Sequence, residues 1–176
     1  NSHGFTLGHQ PASLHCATLG GYLAARGSGV LSTKYGKMED IVMAVEVVLP
    51  NGDIIETLPV PSHAAGPGLL QLFVGSEGSY GIITRVTSRL ERLPEERRFY
   101  AYLFSNLGHA LSAGREMMLQ RLSPAILRLY DSMETKKYVR KILGLELDDR
   151  NYFVIGLEGA KEDIAWKERR VQAICA

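Results

Sequence analysis

A short glycine-rich stretch in the middle of the chain has the composition of a ligand-binding loop. Residues 75–81 read Gly-Ser-Glu-Gly-Ser-Tyr-Gly, between two apolar runs. Glycine lets a backbone approach a ligand closely, and N–H groups with serine hydroxyls can bind a phosphate. The stretch lacks the Gly-Lys-Ser/Thr of a P-loop, and a β-like run follows it where a Rossmann fingerprint has a helix. A ligand loop and a plain structural turn are therefore both open.

Two more glycine-rich elements precede this loop. Gly20-Gly21 follows Thr18 in a stretch with weak helical character, and Gly27-Ser28-Gly29 comes soon after it. Glycine inside a helix is unfavourable by roughly 1 kcal/mol relative to alanine, so the pair at Gly20-Gly21 indicates a tight backbone contact. The second element is more typical of a flexible loop than of a ligand site. From the residues alone, a nucleotide site is one open interpretation of these elements, beside structural turns and loops.

Composition narrows the partners that we expect. The 176 residues are 45% hydrophobic and 22% charged, with a net charge of +1, which predicts a folded protein without affinity for nucleic acid. The two cysteines, Cys16 and Cys175, lack the spacing of a metal site, and we expect no metal. No apolar run approaches the ~20 residues of a spanning helix, and the chain reads as soluble. It begins without methionine and stops directly after a helical pattern, so we expect a fragment.

The first half of the chain is predicted to be rich in β-structure. The apolar run from Ile41 to Leu49 is followed by Asn51-Gly52 and a second β-like run, which is the signal for a hairpin. Residues 82–90 also read as a strand, and residues 68–74 suit either a strand or a short helix. A short helix is predicted around residues 18–25.

The pattern changes after residues 93–96, where we place a domain boundary. Strands are predicted near Tyr100, Leu127 and Phe153, and a helical pattern follows each of them. This alternation predicts a two-layer α+β domain of ferredoxin-like kind, with helices on one face of a sheet. Strand alternation places Arg128 on the face opposite Leu127, where it either faces solvent or binds an anion bidentately. The five histidines lack metal-ligand spacing, and His9 is the one beside the candidate site.

Several stretches, in order, resemble one flavoprotein superfamily. They are HQPASLHCATLGGYLAARGSGVLSTKYGKMEDIV, VVLPNG, GLLQLFVGSEGSYGIIT and RLPE. The chain is similar to the FAD-linked oxidase branch of the vanillyl-alcohol-oxidase/PCMH superfamily. The resemblance implies an α+β fold in which residues 1–93 form the second part of a PCMH-type FAD-binding domain. Residues 94–176 then begin a ferredoxin-like substrate (cap) domain.

The resemblance also implies which residues bind the FAD cofactor. The stretch through Gly21 lines the flavin and pyrophosphate, the next glycines lie on the same side, and Glu77 is a polar neighbour of FAD and not a general base. The implied set is Pro11, Ser13, Thr18, Gly20, Gly21, Arg26, Gly27, Ser28, Gly29, Tyr35, Glu77, Gly78, Ser79, Tyr80, Gly81, Ile82 and Ile83.

Within the superfamily, three stretches are most similar to the alkyldihydroxyacetonephosphate synthases. They are GHQPASL, the run from RGSG to YGKMED, and SPAILRLYDS. The resemblance implies an acyl-to-alkyl exchange through a flavin adduct in ether-lipid synthesis, with Arg128 as the catalytic residue. Similar 2-hydroxy-acid dehydrogenases tend to have glutamate at that position. An FAD-linked dehydrogenase of D-lactate or glycolate is the alternative, and a ferredoxin-like binding module without catalysis is the alternative from another class.

Some features depart from the family pattern, and others stay open. Ala12 stands where the family often has aspartate, and the N-terminal PxGGGTS loop and the C-terminal tyrosine and histidine cluster are absent. We therefore expect this segment alone to bind FAD weakly or not at all, and to be inactive. The resemblance implies a small-molecule substrate, and it leaves open a homodimer and a membrane-surface association of the full-length enzyme. The cytoplasm is expected for a bacterial protein, and the peroxisome for a eukaryotic synthase.

Overall fold

The chain forms two compact units, each with its own three-stranded sheet and apolar core. In the computed structural model, which describes residues 2–60, 63–145 and 149–176, one unit ends at Leu93 and the next begins at Pro94. Among these residues, no helix has the length and apolar character needed to cross a membrane. The same residues contain no cluster of His, Cys, Asp and Glu side chains that could hold a metal ion.

The first unit is built from short elements around a three-stranded sheet. Its described elements are β1 (Phe5–Thr6), α1 (Leu19–Ala24), α2 (Ser32–Tyr35), α3 (Met38–Ile41), β2 (Val42–Val48), β3 (Ile54–Glu56), α4 (Leu70–Phe73), β4 (Ile82–Ser88) and β5 (Glu91–Arg92). The sheet order is β3-β2-β4, with antiparallel neighbours. Side chains of β2 pack with Leu23 of α1 and Phe73 of α4 to form the core.

Most predicted elements of this unit are confirmed. The hairpin between β2 and β3 turns at Asn51-Gly52, where the Leu49 N–H donates to the Asp53 carbonyl over 2.8 Å. The ambiguous run at residues 68–74 contains the helix α4. The pairing of β1 with β5 was not predicted, because two-residue strands are too short to show an alternating pattern.

The second unit alternates strands and helices. Its described elements are β6 (Glu96–Phe104), α5 (Leu107–Leu119), β7 (Ile126–Tyr130), α6 (Ser132–Glu134), a π-helical turn (Thr135–Val139), α7 (Arg140–Leu143), β8 (Asn151–Gly159) and α8 (Lys161–Cys175). The sheet order is β6-β8-β7 with antiparallel neighbours, so β6 and β7 run parallel to each other. This order and these directions are those of a ferredoxin-like fold, and the predicted α+β class is confirmed.

The two faces of this sheet have different surroundings. Phe153 and Ile155 of β8 pack with Met117 of α5 and Ile164 of α8 in a closed core. Because side chains alternate along a strand, the other face of β8 and its neighbours carries no helix from this core. We call this surface the open face; it presents Phe99, Ala101, Leu103, Ile126, Arg128, Tyr130, Tyr152 and Val154.

The connection between β7 and β8 is more irregular than the predicted single helix. A π-helical turn interrupts it, with Thr135 and Val139 buried on its inner side. The Thr135 hydroxyl accepts a hydrogen bond from the Tyr152 N–H (3.1 Å) and donates to the Tyr130 carbonyl (3.3 Å). This single side chain therefore joins the end of β7 to the start of β8.

Candidate functional site

The first unit brings two glycine-rich segments together that lie about fifty residues apart in the sequence. The Gly75 N–H donates to the Leu23 carbonyl over 2.9 Å, and the Glu77 N–H donates to the Ala24 carbonyl over 3.0 Å. These two bonds attach the 75–81 loop to the end of α1. We call the combined surface of α1 and residues 75–82 the glycine cradle.

The start of α1 forms one side of the glycine cradle. Thr18 caps this helix, because its hydroxyl oxygen accepts from the Gly21 N–H over 3.1 Å. Gly20 lies directly against β4: a Cβ added there would meet the Ile83 carbonyl oxygen at 2.8 Å. The predicted tight contact at this glycine pair is therefore a contact within the protein. Gly21 is different, because its added Cβ would meet only the Thr18 hydroxyl.

The glycines of the 75–81 loop also divide into two kinds. An added Cβ at Gly75 would fall on the Arg26 side chain, and one at Gly81 would meet the Val48 carbonyl at 2.5 Å. Packing and positive φ thus explain both positions without a ligand. Gly78 has a φ of +82° and open space where a Cβ would lie. Within this loop, Gly78 is the glycine that leaves backbone accessible to a ligand.

Side chains around the glycine cradle are mostly exposed. Ser79 and Glu77 are exposed, and Glu77 has a φ of +51°, a strained value for a non-glycine residue. Tyr80 is exposed by 50% and Ile82 by 71%, which is high for such apolar side chains. Ile83, on the other face of β4, packs into the core. Accessible backbone beside exposed apolar side chains suits a ligand with both phosphate and ring groups.

The residues after α1 form a second, more packed segment. Arg26, with a φ of +49°, pairs with Glu39 over 3.0 Å. The Gly27 N–H donates to Tyr22, and Gly29 packs directly on the backbone of Gln10, so Gly27-Ser28-Gly29 is an ordered turn.

The remaining predicted residues are placed in and next to this first unit's core. Ser28 is exposed, whereas the Tyr35 ring is buried against Gly8. Pro11 and Ser13 lie in the turn before α1, where the Ser13 carbonyl accepts from the Tyr22 hydroxyl over 3.1 Å. Tyr35 is therefore part of the packed interior of the first unit, and its ring is not exposed to a ligand.

His9 is a polar residue that sequence reasoning ranked low. It is 8% exposed, and its ring contacts Tyr22 edge-on at 4.9 Å between centroids. Neither ring nitrogen has a hydrogen-bond partner within the described residues. Burial lowers the pKa of His9 below its usual value, which favours the neutral ring. A buried histidine without partners is uncommon in a folded protein, and periodicity and spacing gave no sign of its burial.

Arg128 lies in the second unit, on β7. Its side chain is exposed on the open face, as alternation predicts, and no ion pair involves it within the described residues. Its guanidinium carbon lies 5.6 Å from the centroid of the Tyr130 ring. An exposed guanidinium without a carboxylate partner is available to bind an anion.

Comparison with known proteins identifies the class. Residues 1–58 match the family described as FAD binding domain, and residues 93–176 match the family described as FAD linked oxidases, C-terminal domain. The chain belongs to the FAD-linked oxidase branch of the vanillyl-alcohol-oxidase/PCMH flavoproteins, as its sequence predicts. FAD is the cofactor of this class. The residues of the glycine cradle fit it, because Gly78 leaves backbone open and Gly21 is exposed, beside exposed apolar side chains.

The individual relatives include two groups within the class, with alkyldihydroxyacetonephosphate synthases among both the curated proteins and the solved structures. The alkyldihydroxyacetonephosphate synthase of Trypanosoma brucei brucei is 37% identical over 90% of this chain and 29% of its own length. A solved structure of an alkyldihydroxyacetonephosphate synthase superposes with a TM-score of 0.82 at 31% identity, covering 99% of this chain and 34% of that one. The glycolate oxidase subunit GlcD of Bacillus subtilis is 31% identical over 99% of this chain and 37% of its own length. The chain thus spans about a third of these relatives.

The contact between α1 and β4 can be tested with Gly20→Ala. A helical glycine-to-alanine change ordinarily stabilises by up to about 1 kcal/mol. Here the added methyl would meet the Ile83 carbonyl, so we expect the free energy of unfolding to fall by about 1–3 kcal/mol instead. The measurement is urea denaturation. Gly68→Ala is the control, since its Cβ would meet nothing within 4 Å; equal stability of the two variants would contradict the contact.

The burial of His9 predicts a pH dependence of stability. Because the pKa of His9 is lowered in the folded state, the unfolded chain takes up the proton first as the pH falls below about 6.5. The free energy of unfolding should therefore decrease below that pH, with a slope of at most about 1.4 kcal/mol per pH unit from this residue. His9→Phe should remove this part of the slope in urea titrations at several pH values. The exposed His109, changed to Phe, is the control; an unchanged slope in His9→Phe would refute the prediction.

Proposed function

We propose that the full-length protein is an FAD-dependent enzyme of the alkyldihydroxyacetonephosphate synthase type. In this reaction the acyl group of an acyl-dihydroxyacetone phosphate leaves as a fatty acid, and a fatty alcohol supplies the alkyl group. No net oxidation occurs. Bound FAD would supply the covalent chemistry, and the residues of this chain would bind, orient and neutralise the reactants.

The observation that carries this proposal is Arg128. It is an exposed guanidinium on a regular strand, and no carboxylate pairs with it among the described residues. A planar guanidinium binds a phosphate through two parallel hydrogen bonds, which suits a ketone phosphate substrate. We therefore assign Arg128 to the phosphate or to the negative charge that develops during the reaction. The similarity to synthases over nearly the whole chain supports this assignment.

FAD would be held by the glycine cradle of the first unit. The accessible backbone at Gly78 and the exposed Ser79 hydroxyl offer polar contacts to its phosphates. The N–H groups of Gly21 and Ser79 already donate to the Thr18 hydroxyl and the Ser76 carbonyl, so Gly21 contributes an exposed backbone surface without a side chain. Exposed Tyr80 and Ile82 offer apolar surface to a ring system. Arg26 is paired with Glu39, so in this assignment it maintains the loop as well as flanking the cofactor.

The second candidate is an FAD-linked dehydrogenase of a 2-hydroxy acid. The similarity to the glycolate oxidase subunit GlcD over 99% of the chain favours it. In that reaction a hydride passes from the hydroxy acid to the cofactor, and Arg128 would bind the substrate carboxylate. The chain's family gives no support to the third interpretation, a binding module without a cofactor.

The proposal extends to the setting of the full-length enzyme. An acyl-chain substrate would bring the enzyme to a membrane surface, and exposed Met133 and Ile142 are suitable contacts. A homodimer is compatible with these features. The cytoplasm is proposed for a bacterial source, and the peroxisome for a eukaryotic synthase.

The visible absorption spectrum of the full-length protein tests the proposal. It is recorded anaerobically before and after addition of D-lactate or glycolate, and separately of acyl-dihydroxyacetone phosphate. We expect a flavin spectrum that hydroxy acids leave unchanged and the acyl ketone phosphate perturbs. Bleaching by a hydroxy acid would contradict the synthase and establish the dehydrogenase. A folded protein without flavin would contradict both.

A further inference from the structure

Arg128 and two tyrosines form a cluster on the open face of the second unit. Arg128 and Tyr130 lie two residues apart on β7, so their side chains project from the same face. The guanidinium carbon is 5.6 Å from the Tyr130 ring centroid, which is within the range of a cation–π contact. Tyr130 in turn is the register partner of Tyr152 on β8, and their rings are 6.1 Å apart with a tilt of 41°.

The neighbours of Arg128 across the sheet provide no alternative partner for its charge. Val154 is directly opposite on β8, and Ala101 follows in the same row on β6. Both are apolar and short. The nearest carboxylate on this face of β8 is Glu158, two pairs further along, and Arg97 binds it over 2.5 Å. Tyr130, the next same-face residue along β7, therefore supplies the ring that limits where the guanidinium points.

A ring contact of this kind has a specific consequence for anion binding. An exposed arginine samples many rotamers, and holding it in one of them on a phosphate loses up to about 2 kcal/mol of rotamer entropy. Stacking on an aromatic face reduces this loss, because it uses the plane of the guanidinium and leaves the N–H donors on its edge free. The tilted contact with the Tyr152 ring in turn limits the orientations of the Tyr130 ring.

We propose that Tyr130 is a positioning residue for Arg128: its ring holds the guanidinium so that the edge donors face a phosphate-class anion. The role of the anion rests on the proposed function of Arg128, whereas the contact itself does not. The contact uses the ring of Tyr130 and not its hydroxyl group. Tyr130→Phe should therefore keep the position of the Arg128 guanidinium, and Tyr130→Leu should lose it.

A matched control exists within the same unit. Tyr138 is also exposed, and the Lys137 ammonium lies 5.2 Å from its ring centroid. Tyr138 lies in the π-helical turn after β7 and not on a strand, so it is not one of the side chains of the open face. Tyr138→Leu therefore removes an exposed ring with a stacked cation and leaves the open face unchanged.

The first arm of the experiment observes the contact directly in the full-length protein. The Nε–H resonance of Arg128 is assigned by its loss in Arg128→Lys with ¹⁵N-arginine labelling. An aromatic ring beneath the guanidinium shifts this signal upfield. We expect the upfield shift in the unchanged protein, Tyr130→Phe and Tyr138→Leu, and its loss in Tyr130→Leu. The same shift in Tyr130→Leu would overturn the proposal, whatever the enzyme's reaction.

The second arm measures binding of dihydroxyacetone phosphate by calorimetry. We expect Tyr130→Leu to weaken binding by about fivefold, and Tyr130→Phe and Tyr138→Leu to leave it unchanged. If Tyr130→Leu loses the upfield shift but binds as tightly as the unchanged protein, the positioning role is overturned. If Arg128→Lys itself binds as tightly, the assigned role of Arg128 in the proposed function fails, and the anion-binding part of this inference fails with it.

Discussion

The structure of the first unit depends on the close approach of α1 to the segments around it. Two backbone hydrogen bonds, from Gly75 to Leu23 and from Glu77 to Ala24, attach the 75–81 loop to the end of this helix. Gly20 allows the helix to lie against β4 at a distance that no side chain would permit. Since backbone groups make all three contacts, side-chain substitutions elsewhere cannot replace them. The accessible backbone of the glycine cradle is a consequence of this arrangement.

The position of the Arg128 side chain depends on a different constraint, the register of an antiparallel sheet. Because β8 pairs with both β6 and β7, the alternation of one strand fixes the faces of the other two. The helices α5 and α8 cover one face, and the other carries Arg128 beside apolar and aromatic side chains, with Arg97 paired to Glu158 further along. The irregular connection after β7 supports this register through Thr135, which bonds to the backbone of both Tyr130 and Tyr152. A regular sheet and one buried hydroxyl together place the charged group.

Patterns that span many residues could be predicted from the sequence, and local packing could not. Alternation and helical spacing predicted the hairpin at Asn51-Gly52, the strands of the second unit and the orientation of Arg128. The glycines show the limit of this reasoning. Gly78 and Gly81 look alike in the sequence, yet Gly81 is required by the Val48 carbonyl and Gly78 faces open space. His9 is a similar case, because its burial results from contacts with Tyr22 and Gly27 that no local pattern records.

The central claim is that the glycine cradle binds FAD, and the flavin content of full-length Gly21→Val tests it most directly. Gly21 is exposed, and an added Cβ would meet only the Thr18 hydroxyl, at 3.1 Å, so this capping side chain must shift by a few tenths of an ångström and folding is verified separately. The measurement is the ratio of flavin to protein absorbance, with circular dichroism to verify folding and Gly68→Val as the control. The account predicts that Gly21→Val stays folded and loses most of its flavin, while Gly68→Val keeps it. Stoichiometric flavin in folded Gly21→Val would contradict the claim.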